Sequence, residues 1–331
     1  TKEGLSKLNK RFKLKEYNEL FNIKDMTIQF LQAGHVLGSA MIEVAANGSK
    51  LLYTGDVNFR TTKLLDAGYS NNLNETTLIT ESTYGADEDM FPAEKITLAQ
   101  MASSIKSTLN NNSKVLIPSF GVGRAQEVVL VLDDYIRSGV LPKVLIYMDG
   151  MVNKAMKVHR HNVIYCRDEL QKRILMNDDD PFKSPNFIHI TSIKERKKLM
   201  QSTEPCIIVT TSGMLSGGPI LKYLENLGHI ESNKLIFVGY QAEGTRGRAL
   251  LEGNRTILIG KKRINIKLVI EKYHLSAHAD RQQLLHFISK IQNLKNIFIV
   301  HGEKFKSEQL KASIGKKYNV VVPSLCDEFN V

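Results

Sequence analysis

Between residues 93 and 238, helix-patterned and strand-patterned segments follow one another in alternation, and no feature of the sequence limits the fold more. Apolar residues at helical spacing mark 93–109, 124–137, 151–159, 193–201 and 219–227. Short apolar runs of strand length stand between them at 114–118, 143–148, 187–190, 206–210 and 234–238, with one less regular stretch through Asp178-Asp179-Asp180-Pro181. This order predicts a doubly wound α/β domain. The flanks read differently. Residues 27–32 alternate as a strand, 40–44 and 50–54 flank Asn47-Gly48 as a hairpin, and 77–80 form a further strand. Residues 3–20 read as a helix and linker, while 256–259 and 264–270 return to hairpin style. The architecture expected is therefore one α/β domain inserted into another that supplies both ends of the chain.

A length of 331 residues, 42% of them hydrophobic, is enough for a large core and more than one domain. Lys and Arg number 45 against 34 Asp and Glu, a net charge of +11 that attracts polyanions such as nucleic acid or simply reflects a Lys-rich proteome. Cys166, Cys206 and Cys326 lie far apart, which suggests neither a disulfide framework nor a thiolate zinc site and fits a reducing, cytoplasmic setting. No apolar run approaches ~20 residues, so a membrane partner is not expected.

Acidic and imidazole side chains gather at predicted strand ends. His35 follows the strand at 27–32, Asp56 the hairpin, Glu81 the strand at 77–80, and His301 the apolar run 296–300. In open α/β sheets ligands bind at the carboxyl ends of strands. His35, Asp56 and His301 are the donor types of a nitrogen and oxygen site suited to Zn²⁺, although each also has a structural reading as a turn or capping residue. Glu81 either caps the turn at 82–85 or accepts a hydrogen bond from a catalytic His. His278, in Ser-Ala-His-Ala-Asp ahead of a helix capped by Asp280, faces a cleft and is a candidate proton donor. His274 and His286 read as structural, and His159, His161, His189 and His229 have no supporting pattern.

Three Gly-rich turns join strands to helices: Ser-Phe-Gly-Val-Gly-Arg-Ala-Gln-Glu at 119–127, Thr-Ser-Gly-Met-Leu-Ser-Gly-Gly-Pro at 211–219, and Tyr-Gln-Ala-Glu-Gly-Thr-Arg at 240–246. None is a P-loop or a dinucleotide fingerprint. Each alone reads as a tight turn; together, with Arg124, Arg246 and Arg248 beside them, they suit a grip on a phosphate backbone. The residues assigned to it are Gly123, Arg124, Ser212, Gly213, Met214, Gln241, Gly244 and Thr245.

Six segments, Gly-His-Val-Leu-Gly-Ser-Ala at 34–40, Tyr-Thr-Gly-Asp at 53–56, Glu-Ser-Thr-Tyr-Gly at 81–85, Gly-Arg-Ala-Gln-Glu at 123–127, Ser-Ala-His-Ala-Asp at 276–280 and Val-His-Gly-Glu at 300–303, together resemble the β-CASP family of metallo-β-lactamase-fold ribonucleases. The segments at 212–219 and 240–245 resemble its archaeal members, which are like cleavage and polyadenylation specificity factor. The resemblance implies a metallo-β-lactamase αββα sandwich with an inserted doubly wound β-CASP domain: residues 1–90 and 246–331 in the first lobe, 91–245 in the insertion. It implies two zincs per complete site. His35 and His301 are then ligands of different zincs, Asp56 bridges them, Glu81 supports the site, and His278 protonates the oxygen that leaves phosphorus. It further implies single-stranded RNA as substrate, with a homodimer or a related β-CASP subunit as partner.

One departure stands out. The family's His-x-His-x-Asp-His string, which supplies four ligands, does not occur in this sequence. The expectation is of the carboxyl-terminal portion of a longer protein, with the amino-terminal part of the sandwich missing and its first sheet exposed. The first reading is a zinc-dependent ribonuclease, endonucleolytic or also 5′-exonucleolytic. Its rival is a non-catalytic RNA-binding scaffold; a DNA-acting hydrolase is disfavoured by His301.

Overall fold

The computed structural model describes residue 8 and residues 10–330. Of the helix and linker expected over 3–20, residues 3–7 and 9 lie outside them, residue 8 is helical, and residues 10–19 form turns and irregular backbone rather than helix. The chain then builds β1 (Leu20–Ile23), β2 (Met26–Gln32), β3 (Ala40–Ala46), β4 (Ser49–Tyr53) and β5 (Thr77–Glu81). The Asn47-Gly48 turn closes the β3–β4 hairpin, with Ala46 paired to Ser49.

Next come α1 (Glu94–Asn110), β6 (Val115–Pro118), α2 (Arg124–Arg137), β7 (Ile146–Asp149), α3 (Met151–His161), α4 (Asp168–Leu175), β8 (Phe187–His189), α5 (Ile193–Gln201), β9 (Ile207–Thr210), α6 (Ile220–Leu227), β10 (Lys234–Phe237), α7 (Arg246–Leu251), β11 (Thr256–Ile259), β12 (Lys262–Asn265) and β13 (Val269–Lys272). The chain closes with α8 (Arg281–Lys290), β14 (Asn296–Val300), α9 (Lys304–Ile314) and β15 (Asn319–Val321).

Six strands in the order β13-β10-β6-β9-β7-β8 form an all-parallel sheet. Its inner strands are buried on both sides because alternate residues feed opposite cores. Val115, Ile117, Ile207 and Val209 pack with Met101, Ile105, Val129 and Leu132 of α1 and α2. Leu116, Ile208, Leu235 and Phe237 pack with Ile220, Tyr223 and Leu224 of α6. This is the doubly wound arrangement, and it accounts for the near-continuous apolar runs. The sequence reading places the return to the first lobe near residue 246; the structure keeps β13 in the six-stranded sheet, so the return follows Lys272.

The second sheet has the order β1-β2-β3-β4-β5-β14-β15, antiparallel as far as β4 and parallel beyond it. One face is dry. Leu31, Met41, Leu52, Leu78, Ile297 and Ile299 pack against Leu284, Phe287 and Ile288 of α8 and Leu310 of α9. The residues between them in the pleat, among them Phe30, Ile42, Val44, Leu51 and Ile79, remain partly exposed.

Glu75, just before β5, is fully buried, and neither carboxylate oxygen has a hydrogen-bond partner among the described residues. Burial and the neighbouring Glu43 carboxyl push its pKa from 4.5 up to about 7, while Lys50 opposes the rise. A raised folded-state pKa stabilises fully below the ordinary value near 4.5 and loses that contribution as the pH rises through about 7. Glu75→Gln should therefore gain on wild type between pH 5 and pH 8 by at most ~3 kcal/mol in urea unfolding; a pH-independent difference contradicts this account.

Candidate metal centre

Parallel pairing sets Glu81 at the end of β5 opposite Val300 of β14, so one sheet edge receives both Glu81 and His301. Asp56 reaches the same edge three residues after β4, which pairs with β5, and His35 three residues after β2. His278 arrives from the other direction, in the segment between β13 and α8. Asp280 closes that segment with a capping box, accepting from the Gln283 amide at 2.9 Å.

Glu81 ties these segments together and is only 1% exposed. Its Oε1 accepts the Val57 amide at 2.7 Å, next to Asp56, and its two oxygens lie 3.0 and 2.8 Å from Nδ1 of His278. The carboxylate only accepts, so Nδ1 of His278 donates and Nε2 is its remaining ring nitrogen. Nδ1 of His35 lies 2.9 Å from the Ala277 carbonyl, which likewise fixes the proton on Nδ1 and leaves a lone pair on Nε2, 3.7 Å from Oδ2 of Asp56. His301 stands with Nδ1 3.0 Å from Oδ1 of Asp56. Its backbone is left-handed, φ 51°, and Gly302 then passes so close to Ser82 that a Cβ would meet Oγ at 2.3 Å.

The electrostatics follow from burial and pairing. Burial acts to raise the Glu81 pKa, but the hydrogen bond and charge of His278 outweigh it and hold the carboxyl below its ordinary value. For His278 burial acts downward, and Glu81 outweighs it, so the imidazole titrates above its usual range. The His35 pKa is lowered by burial and then by the neighbouring His278, which keeps its imidazole neutral and fit to donate a lone pair.

One nitrogen or oxygen from each of Asp56, Glu81, His278 and His301 lies within 4.8 Å of the others. Both Glu81 oxygens are already engaged by His278 and Val57, so Glu81 serves as the group that orients a neighbour rather than as a ligand. His35 lies outside that set of four, with its free Nε2 3.7 Å from Oδ2 of Asp56; imidazole nitrogens and carboxylate oxygens of this kind suit a zinc ion. His35, Asp56, His278 and His301 open on one cavity of about 570 Å³ whose opposite wall comes from the six-stranded sheet's loops: Phe120, Val122, Arg124, Met214 and Tyr240.

A family model described as Beta-Casp domain matches residues 125–250, and one described as Zn-dependent metallo-hydrolase RNA specificity domain matches residues 263–323. An RNase J-like protein of Methanocaldococcus jannaschii is 39% identical over 307 residues, covering 93% of this chain and 71% of that protein. This chain belongs to the β-CASP family of metallo-β-lactamase-fold nucleases. The transcription termination factor FttA of the same organism is 38% identical over 90% of this chain and 49% of its own length, and that of Cenarchaeum symbiosum is 35% identical over 89% and 47%. The chain thus spans about half the length of the termination factors it matches. A solved protein of unknown function from Enterococcus faecalis V583 gives a TM-score of 0.51 at 11% identity, over 95% of this chain and 66% of that one, a likeness of fold alone.

Within the β-CASP domain all three Gly-rich turns reach the main cavity: the first through Phe120, Val122 and Arg124, the second through Met214, the third through Tyr240, Ala242 and Glu243. Gly244 and Thr245 line a separate cleft of about 420 Å³. Ser212 and Gln241 hold the turns to each other or to themselves: Oγ of Ser212 bonds Gly217, and Nε2 of Gln241 donates to the Gly213 carbonyl at 2.9 Å. Gly123 packs against Val36 of the first lobe, and Gly213 against Phe120. Arg246 is spent on the carbonyls of Leu258 and Leu215, and Arg248 on Glu252. Arg124 is different. It is 7% exposed, its Nε has no hydrogen-bond partner among the described residues, and burial depresses its pKa against the opposing pull of Glu127 and Glu94.

Sequence reasoning passed over two contacts between the lobes. Glu127 accepts the amides of Lys63 and Leu64 at 2.7 and 3.1 Å, and Tyr240 donates to Glu303 two residues beyond His301. Their partners lie more than sixty residues away, and no local pattern marks such pairs. His274, read as structural, stacks on Phe91 with ring centroids 4.5 Å apart, and burial pushes its pKa down to about 4.

Replacing Glu81 by Gln removes the main charge that raises the His278 pKa and leaves only the weaker pull of Asp56 against burial. The His278 midpoint, followed by NMR on the metal-free chain, should then fall from above the ordinary 6.5 to below it; an unmoved midpoint would show that Glu81 does not set it.

Proposed function

We propose that this protein is a zinc-dependent ribonuclease that hydrolyses RNA phosphodiester bonds in 3′-end processing, termination or decay. The observation that carries this reading is the meeting of His35, Asp56, His278 and His301 on one cavity, with Glu81 buried behind His278 and bonded to it. The names of the relatives, an RNase J-like protein and transcription termination factors, support RNA as the substrate and a place in transcript maturation.

Zinc held by His35, Asp56 and His301 would supply Lewis-acid neutralisation of the charge that develops at phosphorus. The chain's own groups do the rest. Ala277 and Glu81 fix the tautomers of His35 and His278, so each ring presents a defined nitrogen. His278, raised in pKa by Glu81, holds a proton on Nε2 at neutral pH and delivers it to the departing oxygen. Arg124 adds a positive charge to the cavity wall where the phosphate backbone passes.

His278→Ala should lower cleavage of single-stranded RNA by on the order of 10²- to 10⁴-fold while zinc content is unchanged. Full cleavage by the variant, or equal loss of zinc and cleavage, would remove His278 as the acid. RNA binding without cleavage by the wild-type chain would favour the non-catalytic scaffold.

A further inference from the structure

We propose that Phe120 is a stacking platform for a nucleobase flanking the bond to be cut; the inference rests on the ribonuclease reading and names the subsite that holds the base. Phe120 lies in the turn between β6 and α2 and lines the same cavity as His35, Asp56, His278 and His301. Val36, Val122 and Met214 line the cavity with it, beside the charge of Arg124. A phosphate seated at the His and Asp cluster places its neighbouring bases against the walls of this same cavity, and Phe120 offers them an apolar ring.

The ring is exposed and yet fixed. Phe120 is 41% exposed. Two glycines form its seat. A Cβ on Gly239 would come within 3.2 Å of Cε2 and 3.5 Å of Cδ2, and one on Gly213 within 3.2 Å of Cδ2. Side chains at either position would displace the ring, so the turns at 211–218 and 239–245 meet it with bare backbone. Gln241, bonded from Nε2 to the Gly213 carbonyl, locks these two turns together beneath it. A rigid aromatic surface loses little entropy on binding, and a base has a π-face whatever its identity, so the subsite is tolerant of sequence.

The test uses the zinc-loaded chain and a single-stranded RNA carrying 2-aminopurine, or an abasic unit, at one position at a time. All binding is measured in the His278→Ala background so that no strand is cut. Stacking on Phe120 predicts quenching at one position, abolished by Phe120→Ala and Phe120→Leu and kept by Phe120→Tyr; the Leu variant fills the glycine seat without a ring. An abasic unit at that position should weaken binding to the Phe120 chain by about 5- to 100-fold and leave Phe120→Leu indifferent. Equal abasic penalties in both chains, absence of quenching, or no binding at all overturns the platform. If cleavage depends on His278 while binding ignores Phe120, the platform falls and the ribonuclease reading stands. If no cleavage occurs yet quenching follows Phe120, the ribonuclease reading falls and the platform stands.

Discussion

The carboxylate of Glu81 is the point on which the site is built. Burying such a group uncompensated costs several kcal/mol, and here the cost is offset by an amide from beside Asp56 and by an imidazole 197 positions away in sequence. Because Glu81 also pairs in register with Val300, a single residue fixes the approach of Asp56, His278 and His301. His35 joins at one remove, through the Ala277 carbonyl next to His278. Loss of that charge would leave a buried imidazole without its main counter-ion and three chain segments without a common anchor.

The cavity takes its character from two sheets of different construction. The seven-stranded sheet contributes imidazole and carboxylate from its strand ends, and the six-stranded sheet contributes Phe120, Val122 and Met214 from turns at the carboxyl edge of parallel strands. Their juxtaposition rests on Leu64 and Leu65 of the first lobe, which are buried in the core beside the six-stranded sheet, and on polar contacts of Glu127 with the Lys63 and Leu64 amides and of Tyr240 with Glu303. The apolar contact supplies most of the stability and the polar ones the orientation.

Where the physics is local, the sequence was readable. The strand ends at Glu81 and His301, the helix Arg124–Arg137, the Asn47-Gly48 hairpin and the Asp280 cap all follow from periodicity or turn chemistry within a few residues. The six motifs then placed His35, Asp56, Glu81, His278 and His301 together by resemblance. What stayed hidden is long-range. The placing of Gly244 and Thr245 on a second cleft while Tyr240 faces the first depends on which loop meets which, and the capture of Arg246 by backbone carbonyls depends on a hairpin twelve residues on. The helix Asp168–Leu175 buries only Leu170, too little apolar periodicity to announce itself. Phe120 reads as one more loop residue until Gly213 and Gly239 are seen beneath it.

The central claim is that His35, Asp56 and His301 form a metal-holding group, and zinc binding by calorimetry on the chain and on its Asp56→Ala and His301→Ala variants tests it most directly. The account predicts that the wild-type chain takes up zinc and that each variant weakens uptake on the order of tenfold or more. Zinc binding indifferent to both substitutions would contradict it.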